Sequence, residues 1–362
     1  MNSVIEDQKM RKSIQHCLLY IALAAASAGV QALTISDQGS YSSEGVVVGN
    51  SKDYQADNPK QENQTLHADF ASVFYQIPEN RKKNAIVFQH GAGQSARCWM
   101  TTPDGRDGYQ NLYLKKGYAV HLVDQPRRGQ AGTSSQELLL KPNRVDQFVF
   151  GQFRFGMWPN WYPDSQFAGK NTNLDVFYRQ ATPDTGPRDS SISGKELAQV
   201  TQKAGPSILF THSAGGVVGW KAVLNDNKIV GIVAFEPGYG FIFPESSSQR
   251  IIKANSHFGQ NEPIKVPEEQ FKKFTKVPIL ILYGDNVPSE PSTNKHLDYW
   301  RSSWQMAKNF AAEVNKQGGN VTVVRLPDIG IKGNTHFIFS DANNVEVADY
   351  IDSWLKKNKL DD

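Results

Sequence analysis

The sequence predicts an α/β fold in which helices cover both faces of a mostly parallel central sheet. Its strands are short, continuously apolar runs, and most are followed by a longer amphipathic stretch. Strands of this kind are buried on both faces, as in parallel sheets. The 362 residues, 39% of them hydrophobic, are enough to form a large core.

Apolar periodicity assigns the elements in chain order. A run rich in β-branched and aromatic residues indicates a strand, and a longer run with apolar residues three or four positions apart indicates a helix. The predicted strands are 67–77, 84–90, 118–124, 206–213, 229–237, 277–284 and 320–327. The predicted helices are 108–117, 194–205, 214–226, 297–319 and 345–357.

The first 32 residues differ from the rest of the chain. Arg11 and Lys12 precede the apolar run "CLLYIALAAASAGV", and small residues follow at Val30 and Ala32. This order is typical of a secretory signal peptide, and we predict cleavage after Ala32. The alternative is an uncleaved membrane anchor, but the run is shorter than the roughly 20 residues that a spanning helix needs.

Composition excludes several classes of protein. The formal net charge is only +3 and the basic residues are dispersed, so we expect no nucleic-acid partner. No two histidines have ligand spacing on a predicted helix, so we expect no metal, and no cofactor is implied.

Cys17 lies at the head of the apolar run, where it is not placed for lipidation. Cys98 is then the only cysteine of the mature chain, which predicts no internal disulfide.

A serine lies where a predicted strand meets a predicted helix. In "ILFTHSAGGVVGWKAVL", residues 208–224, the strand ends at the pentapeptide T-H-S-A-G, centred on Ser213. A sharp turn there would display the Ser213 hydroxyl above the sheet, as in the G-x-S-x-G nucleophile elbow. Thr211 replaces the first glycine of that pattern, whereas Gly215 keeps the start of the helix open. The alternative is a serine that only caps the helix.

A serine nucleophile needs a base, which is usually a histidine held by a carboxylate. Proteins with such an elbow carry the three groups in the order serine, acid, histidine. Three histidines follow Ser213: His257 in a polar insertion, His296 near the start of a helix, and His336 in the loop "GIKGNTHFIF". Because that loop follows the last apolar strand, we predict that His336 is the base.

Two residues are candidates for the acid. The commonest position lies a few residues beyond the strand "VPILILYG", but Val287 occupies the usual acid position and Asp285 directly follows the glycine. Glu236 ends the preceding strand in "IVAFEPG", and its side chain is long enough to reach a histidine from a neighbouring strand. We therefore favour Glu236 and keep Asp285 as the alternative.

An acyl-transfer site also needs donors for the oxyanion. The backbone N–H of Ala214, directly after the serine, is one candidate. The other is the N–H of Ala92 in "HGAG", which follows the strand 84–90. Small residues in that loop allow a substrate to approach the backbone closely.

Four segments together carry a resemblance to a known family. The loop that begins "FQHGAGQSARCW", the elbow "THSAGG", the strand end "FEPG" and the loop "GNTHF" resemble secreted bacterial α/β-hydrolase esterases. The resemblance covers most of the chain from about residue 68. It implies the α/β-hydrolase fold, with Ser213 as nucleophile, Glu236 as acid, His336 as base, and Ala92 and Ala214 as oxyanion donors. Some members carry two adjacent cysteines where this chain has Ala92 and Gly93, so any role of that pair is absent here.

Two insertions interrupt the pattern of strands and helices, within a single hydrolase domain predicted over 33–362. The first, about 136–194, is rich in aromatic residues, and the second is about 238–275. Both lie where a cap is expected. Phe155, Trp158 and Trp161 are candidates for substrate binding, although these rings could equally form a core within the cap.

The sequence leaves two classes of function open. The first is a secreted serine hydrolase that acts on a small-molecule ester or lactone, with amidase or acyltransferase chemistry as variants. The second is a catalytically silent protein of the same fold that only binds a ligand or partner. Serine, acid and histidine in the expected order favour the first. The sequence carries no signal for an oligomeric state.

The signal-peptide prediction can be tested directly. Expressed in a Gram-negative host, the mature protein should begin at Leu33 and be found in the periplasm or the medium. N-terminal sequencing of each fraction measures this. An intact N-terminus on membrane-bound protein would contradict cleavage after Ala32.

Overall fold

The computed structural model of the chain describes residues 33–167 and 174–362. The chain divides into two units, Met1–Thr34 and Ile35–Asp362, and every strand and helix of the described residues lies in the second. The predicted signal peptide, 1–32, lies outside the described residues. In the part of the chain that is described, no helix is both long and apolar enough to cross a membrane.

Short strands and longer helices alternate along much of this unit. The strands are β1 (Ile35–Ser42), β2 (Val46–Gly49), β3 (Thr65–Ala68), β4 (Ser72–Pro78), β5 (Ala85–Gln89), β6 (Val120–Asp124), β7 (Gly156–Met157), β8 (Asn160–Trp161), β9 (Ser207–His212), β10 (Ile229–Phe235), β11 (Ile242–Pro244), β12 (Ile264–Val266), β13 (Ile279–Tyr283) and β14 (Val321–Arg325). The α-helices are α1 (Tyr109–Lys115), α2 (Asp146–Gln152), α3 (Leu174–Tyr178), α4 (Ser190–Ala204), α5 (Gly215–Asn225), α6 (Glu268–Phe271), α7 (Lys295–Lys316) and α8 (Asn344–Lys357).

Eight strands form the central sheet, in the order β1-β4-β6-β5-β9-β10-β13-β14. From β6 to β14 all neighbours are parallel, whereas β4 is antiparallel to both β1 and β6. The predicted fold class, a mostly parallel sheet with helices, is confirmed.

Two apolar clusters cover the faces of the sheet. On one face, β-strand residues such as Val87 pack with Trp220 of α5 and Phe310 of α7. On the other face, Phe88 packs with Tyr113 of α1 and belongs to the same cluster as residues of α8. Adjacent residues of one strand thus enter different clusters, which explains why the central strands are apolar throughout.

The first predicted strand is wrong in its extent. Residues 67–77 are divided between β3 and β4, because the backbone at Asp69 is left-handed, with φ +58°. The buried carboxylate of Asp69 accepts hydrogen bonds from Nε and Nη2 of Arg127, each at 2.7 Å. The edge strand β1 was not predicted from the sequence. It is largely polar and pairs with β4 through backbone hydrogen bonds.

Each predicted insertion contains short elements that are not part of the central sheet. Segment 136–194 holds α2, the hairpin β7–β8 and α3, and it also includes the first turn of α4. That helix begins at Ser190, before its predicted start, because the side chain of Asp189 caps the amides of Ser191 and Ile192. Segment 238–275 holds the parallel pair β11–β12 and the short α6.

Candidate active site

Ser213 lies at a strained turn between β9 and α5. Its φ is +52°, a left-handed conformation that costs a residue with a side chain about 1–3 kcal/mol. The Ser213 amide donates to the carbonyl of Phe235 at 2.9 Å, so the turn is attached to the neighbouring strand β10. The side chain is half-buried and lines a cavity above the sheet.

Three glycines allow the backbone to pack closely around this turn. A Cβ on Gly91 would lie 2.9 Å from the Cβ of Ser213, and one on Gly215 would lie 2.5 Å from the carbonyl oxygen of His90. A Cβ on Gly219 would lie 2.7 Å from Cγ2 of Thr211. Gly219 therefore leaves room for Thr211, which stands where the usual elbow pattern has glycine.

Glu236 directly follows β10 and is completely buried. Its φ is +54°, so it too leaves its strand in a left-handed conformation. Oε1 accepts hydrogen bonds from the amide of Gly284 and from Nη2 of Arg154, the latter at 2.5 Å. Oε2 lies 3.4 Å from Nδ1 of His336. The structure thus brings the favoured acid next to the predicted base.

Asp285, the alternative acid, is held by backbone groups instead. Oδ1 accepts from the amide of Asn286 at 2.7 Å, and Oδ2 accepts from the amide of Gly333 at 3.0 Å. The Asp285 amide donates to the carbonyl of Asn334 at 2.7 Å. Asp285 therefore fixes the loop that carries His336, and no hydrogen bond joins its carboxylate to the imidazole in the described part of the chain.

The His336 ring is completely buried between aromatic side chains. It stacks on Phe153, with ring centroids 4.7 Å apart and an interplanar angle of 11°, and lies 4.3 Å from the Trp300 ring. Its amide donates to the carbonyl of Phe153 at 3.0 Å. Nε2 has no hydrogen-bond partner among residues 33–167 and 174–362, so this lone pair or proton is available for chemistry.

The buried side chains of His212 and Asp341 form hydrogen bonds to the loop that carries His336. Nε2 of His212 donates to the carbonyl of His336 at 2.9 Å. Asp341 accepts from the amide of Thr335 at 2.7 Å and from the Thr335 hydroxyl at 2.8 Å. Burial raises the pKa of Asp341 to about 7, against the opposing effect of these hydrogen bonds. The position of the imidazole is thus determined by several neighbours.

Burial and charge set the protonation of the pair. Burial lowers the pKa of His336 well below its ordinary value, and the cation of Arg154 lowers it further. Burial raises the pKa of Glu236, while Arg154 and the Gly284 amide oppose that rise. At neutral pH the imidazole is therefore uncharged, which is the state that a general base needs.

The predicted oxyanion donors lie beside the serine. Ala92 and Ala214 line the same cavity as Ser213. In the described part of the chain, no acceptor takes a hydrogen bond from the amide of either residue. Both amides are therefore available to an oxygen bound next to the hydroxyl.

The cavity at Ser213 has a volume of about 520 Å³, within the range of small-molecule sites. Five of its fifteen lining residues are aromatic, and the walls come from both insertions, from α7 and from the loops at Ala92 and Ser213. They also carry the amide side chains of Gln152 and Asn261, in which Nε2 and Oδ1, respectively, are buried without a partner in the described residues. The cavity is lined by Ala92, Gln152, Phe153, Arg188, Ser213, Ala214, Tyr239, Gly240, Phe258, Gln260, Asn261, Glu262, Ile264, Tyr299 and Trp300.

The structure does not bring the three predicted substrate-binding rings to this cavity. Phe155 is completely buried and stacks on Phe167, with centroids 4.0 Å apart. Trp161 packs on Phe155, and Trp158 packs on Phe150 at the surface. Phe155 and Trp161 thus belong to a core within the first insertion, and Trp158 covers it from the surface. Phe153, two residues before Phe155, is the ring of this stretch that lines the cavity.

Arg154 was not predicted from the sequence as a residue of the site. Its side chain is completely buried against Glu236, and no motif distinguishes this arginine from others in the chain. A positively charged residue in the middle of the aromatic run "FVFGQFRFGMW" is the signal that could have marked it.

Among the described residues, no group of three or more histidine, cysteine, aspartate or glutamate side chains could hold a metal ion.

The comparison with known proteins agrees with this geometry. The model of the alpha/beta hydrolase family matches residues 86–329, a span that includes the elbow and Glu236. This chain belongs to the alpha/beta hydrolase family. A solved bacterial esterase is similar over 91% of this chain and 98% of its own, with 26% identity and a TM-score of 0.73.

A second relative is named as a lipase. The probable secreted lipase phiG of Fungal sp. (strain ATCC 74256) is 28% identical over 332 residues, covering 78% of this chain and 84% of that protein. The similarity covers most of the length of each relative, so it extends beyond the central sheet.

Gly219→Ala tests the packing of the elbow. Alanine normally favours a helix interior over glycine by about 1 kcal/mol, but here its Cβ would contact the Thr211 methyl group. We expect a loss of about 1–3 kcal/mol in the free energy of unfolding, measured with guanidinium chloride. Adding Thr211→Ser removes that methyl group and should restore most of the loss. A Gly219→Ala protein as stable as the wild type would contradict this interpretation.

Proposed function

We propose that this alpha/beta hydrolase is a serine hydrolase that cleaves carboxylic esters or lactones through an acyl-enzyme on Ser213. His336 is the base, Glu236 is the acid, and the amides of Ala92 and Ala214 bind the oxyanion. The observation that carries the proposal is the 3.4 Å approach of Glu236 Oε2 to His336 Nδ1. Nε2 of the same ring is unpaired among the described residues, and the ring centroid lies 4.4 Å from that of His212 in the elbow.

The chemistry follows from these positions. Nε2 of His336 takes the proton of the Ser213 hydroxyl as its oxygen attacks the carbonyl carbon of the ester. The negative charge of Glu236 stabilises the imidazolium that forms, and the two amides stabilise the tetrahedral oxyanion. The imidazolium then protonates the leaving alcohol. Water repeats the sequence on the acyl-enzyme and releases the acid.

The relatives support an ester as the substrate, since one is called an esterase and the other a lipase. A cavity of about 520 Å³ with five aromatic side chains in its walls fits a small or medium-sized apolar group. The name of the second relative also includes secretion, which supports export of this chain after cleavage behind Ala32. Hydrolysis of amides and thioesters, and acyl transfer to an alcohol, use the same triad. These substrates and acceptors should therefore be assayed together with the esters.

Ser213→Ala is expected to abolish both cleavage of chromogenic esters and labelling by a fluorophosphonate probe. The nucleophile is lost, and only the acceleration from positioning and the oxyanion donors remains. Ser353→Ala, at a serine of α8 whose hydroxyl donates to the Asp349 carbonyl, is the control and should change neither readout. Labelling that survives Ser213→Ala would place the nucleophile elsewhere. A folded wild-type protein that neither cleaves nor labels would favour the ligand-binding alternative.

Glu236→Gln and Asp285→Asn distinguish the two candidate acids. Both changes keep the size of the side chain and remove its charge. Glu236→Gln should lower kcat roughly 10⁴-fold with little change in KM, because the imidazolium loses its partner. Asp285→Asn should lower kcat less than about tenfold, since its carboxylate accepts hydrogen bonds only from the amides of Asn286 and Gly333 among the described residues. The reverse order of the two losses would assign the role to Asp285.

A further inference from the structure

One buried charge next to the proposed triad comes from the first insertion. Arg154 lies between α2 and β7, and its backbone is left-handed, with φ +60°. Its side chain is completely buried. The segment that contributes Phe153 to the cavity therefore also places a guanidinium group in the protein interior.

The contacts of Arg154 join three separate parts of the fold. Nη2 donates to Oε1 of Glu236 at 2.5 Å, at the end of β10, and Nε donates to the carbonyl of Asp285 at 2.8 Å, beyond β13. The guanidinium carbon lies 5.1 Å from the centre of the Trp300 ring in α7. Trp300 in turn contacts His336. The guanidinium therefore contacts both Glu236 and the ring of Trp300, which packs against His336.

We propose that Arg154 is a positioning residue of the triad, which orients the Glu236 carboxylate toward His336 and keeps that carboxylate ionised. This inference rests on the proposed function, in which Glu236 is the acid. It assigns to the first insertion a part in the chemistry, beyond its contribution to the walls of the cavity.

Geometry gives the first argument. A glutamate side chain has three rotatable bonds, so burial alone does not determine where its oxygens point. Two donors, the Arg154 guanidinium and the Gly284 amide, both bind Oε1. Oε2 is thereby left for His336. A charge-assisted hydrogen bond of this kind is stronger and more directional than a neutral one.

Charge gives the second argument. A completely buried carboxylate without a cation tends to take up a proton, and a protonated Glu236 could not stabilise an imidazolium. Arg154 opposes that uptake and also disfavours protonation of His336. Both effects have the same sign, so removing the cation should make the coupled Glu236–His336 pair bind a proton at higher pH.

The decisive comparison uses two variants of Arg154. Arg154→Met removes the charge, and we expect kcat to fall at least about 100-fold while KM changes less than about threefold. The acid limb of the pH profile of kcat/KM should move up by about one pH unit or more. Arg154→Lys keeps the charge but loses the fork of donors, so kcat should fall about tenfold with the acid limb nearly unmoved. Arg179→Met, an exposed arginine of the same insertion, is the matched control.

A purely structural role would give a different pattern. An anchor of the insertion, once lost, would raise KM and lower the melting temperature, with the acid limb unchanged in both variants, and this outcome would overturn the proposal. So would additive rate losses for Arg154→Met and Glu236→Gln, because Arg154 should matter only through an ionised Glu236. If Arg154→Met does not fold, the kinetics of Arg154→Lys provide the test. A roughly tenfold fall in kcat with KM nearly unchanged supports the proposal, and a raised KM with kcat nearly unchanged overturns it.

A measurement without substrate separates this inference from the proposed function. Imidazole NMR of His336 in the Ser213→Ala background, with and without Arg154→Met, reports proton binding directly. An upward shift in the pH of protonation on removal of Arg154 supports the charge effect even if the wild type cleaves no ester. No shift overturns it, whatever the activity. Fluorophosphonate labelling of the wild type tests the proposed function on its own.

Discussion

The register of the central strands determines where Ser213 and Glu236 lie, and the rest of the site is arranged around these two residues. In the parallel sheet His212 pairs with Phe235, and Phe235 pairs with Leu282. The next residues, Ser213 and Glu236, therefore leave their strands at the same level, and each donates its amide to the neighbouring strand. A slip of one residue in either pairing would turn the side chains to the opposite face and separate the two groups.

The site also depends on compensation of charge in a dry interior. Glu236, Arg154, His212 and His336 lie together near the carboxyl ends of β9 and β10, with almost no exposure to solvent. Buried charges are tolerated only when they are paired and hydrogen-bonded. The ion pair satisfies this condition for the carboxylate, and the neutral imidazoles avoid it. Removing one member would leave its partner uncompensated, so these residues are coupled energetically as well as spatially.

Most of the sheet and the order of its helices could be predicted, because strands buried on both faces have a distinctive apolar sequence. The polar strand β1 has no such signal; it is held by backbone pairing with β4 and by side-chain contacts such as that between Tyr41 and Tyr75. The positions of Ser213, Glu236 and His336 at strand ends and in the last loop follow from chain order. Their catalytic roles stay predictions.

The first insertion was less predictable, because it lacks regular periodicity. Spacing cannot tell which of its rings faces the cavity, and the left-handed turn at Arg154 separates the environments of its two neighbours. Phe153 faces His336, whereas Phe155 enters the core of the insertion. The buried ion pair depends on a contact between residues 82 positions apart, which no local pattern indicates.

The polar edge strand has a consequence for how copies of this protein behave in solution. A sheet edge exposes unpaired amides and carbonyls, which can template growth with strands of other molecules. β1 covers the edge of β4 with the sequence "ISDQGSYS", in which Asp37 and several other polar residues are exposed. Recruitment of a further strand onto β1 would desolvate these side chains. The edge that begins the sheet is thereby protected against aggregation, even though the strands behind it are among the most apolar segments of the chain.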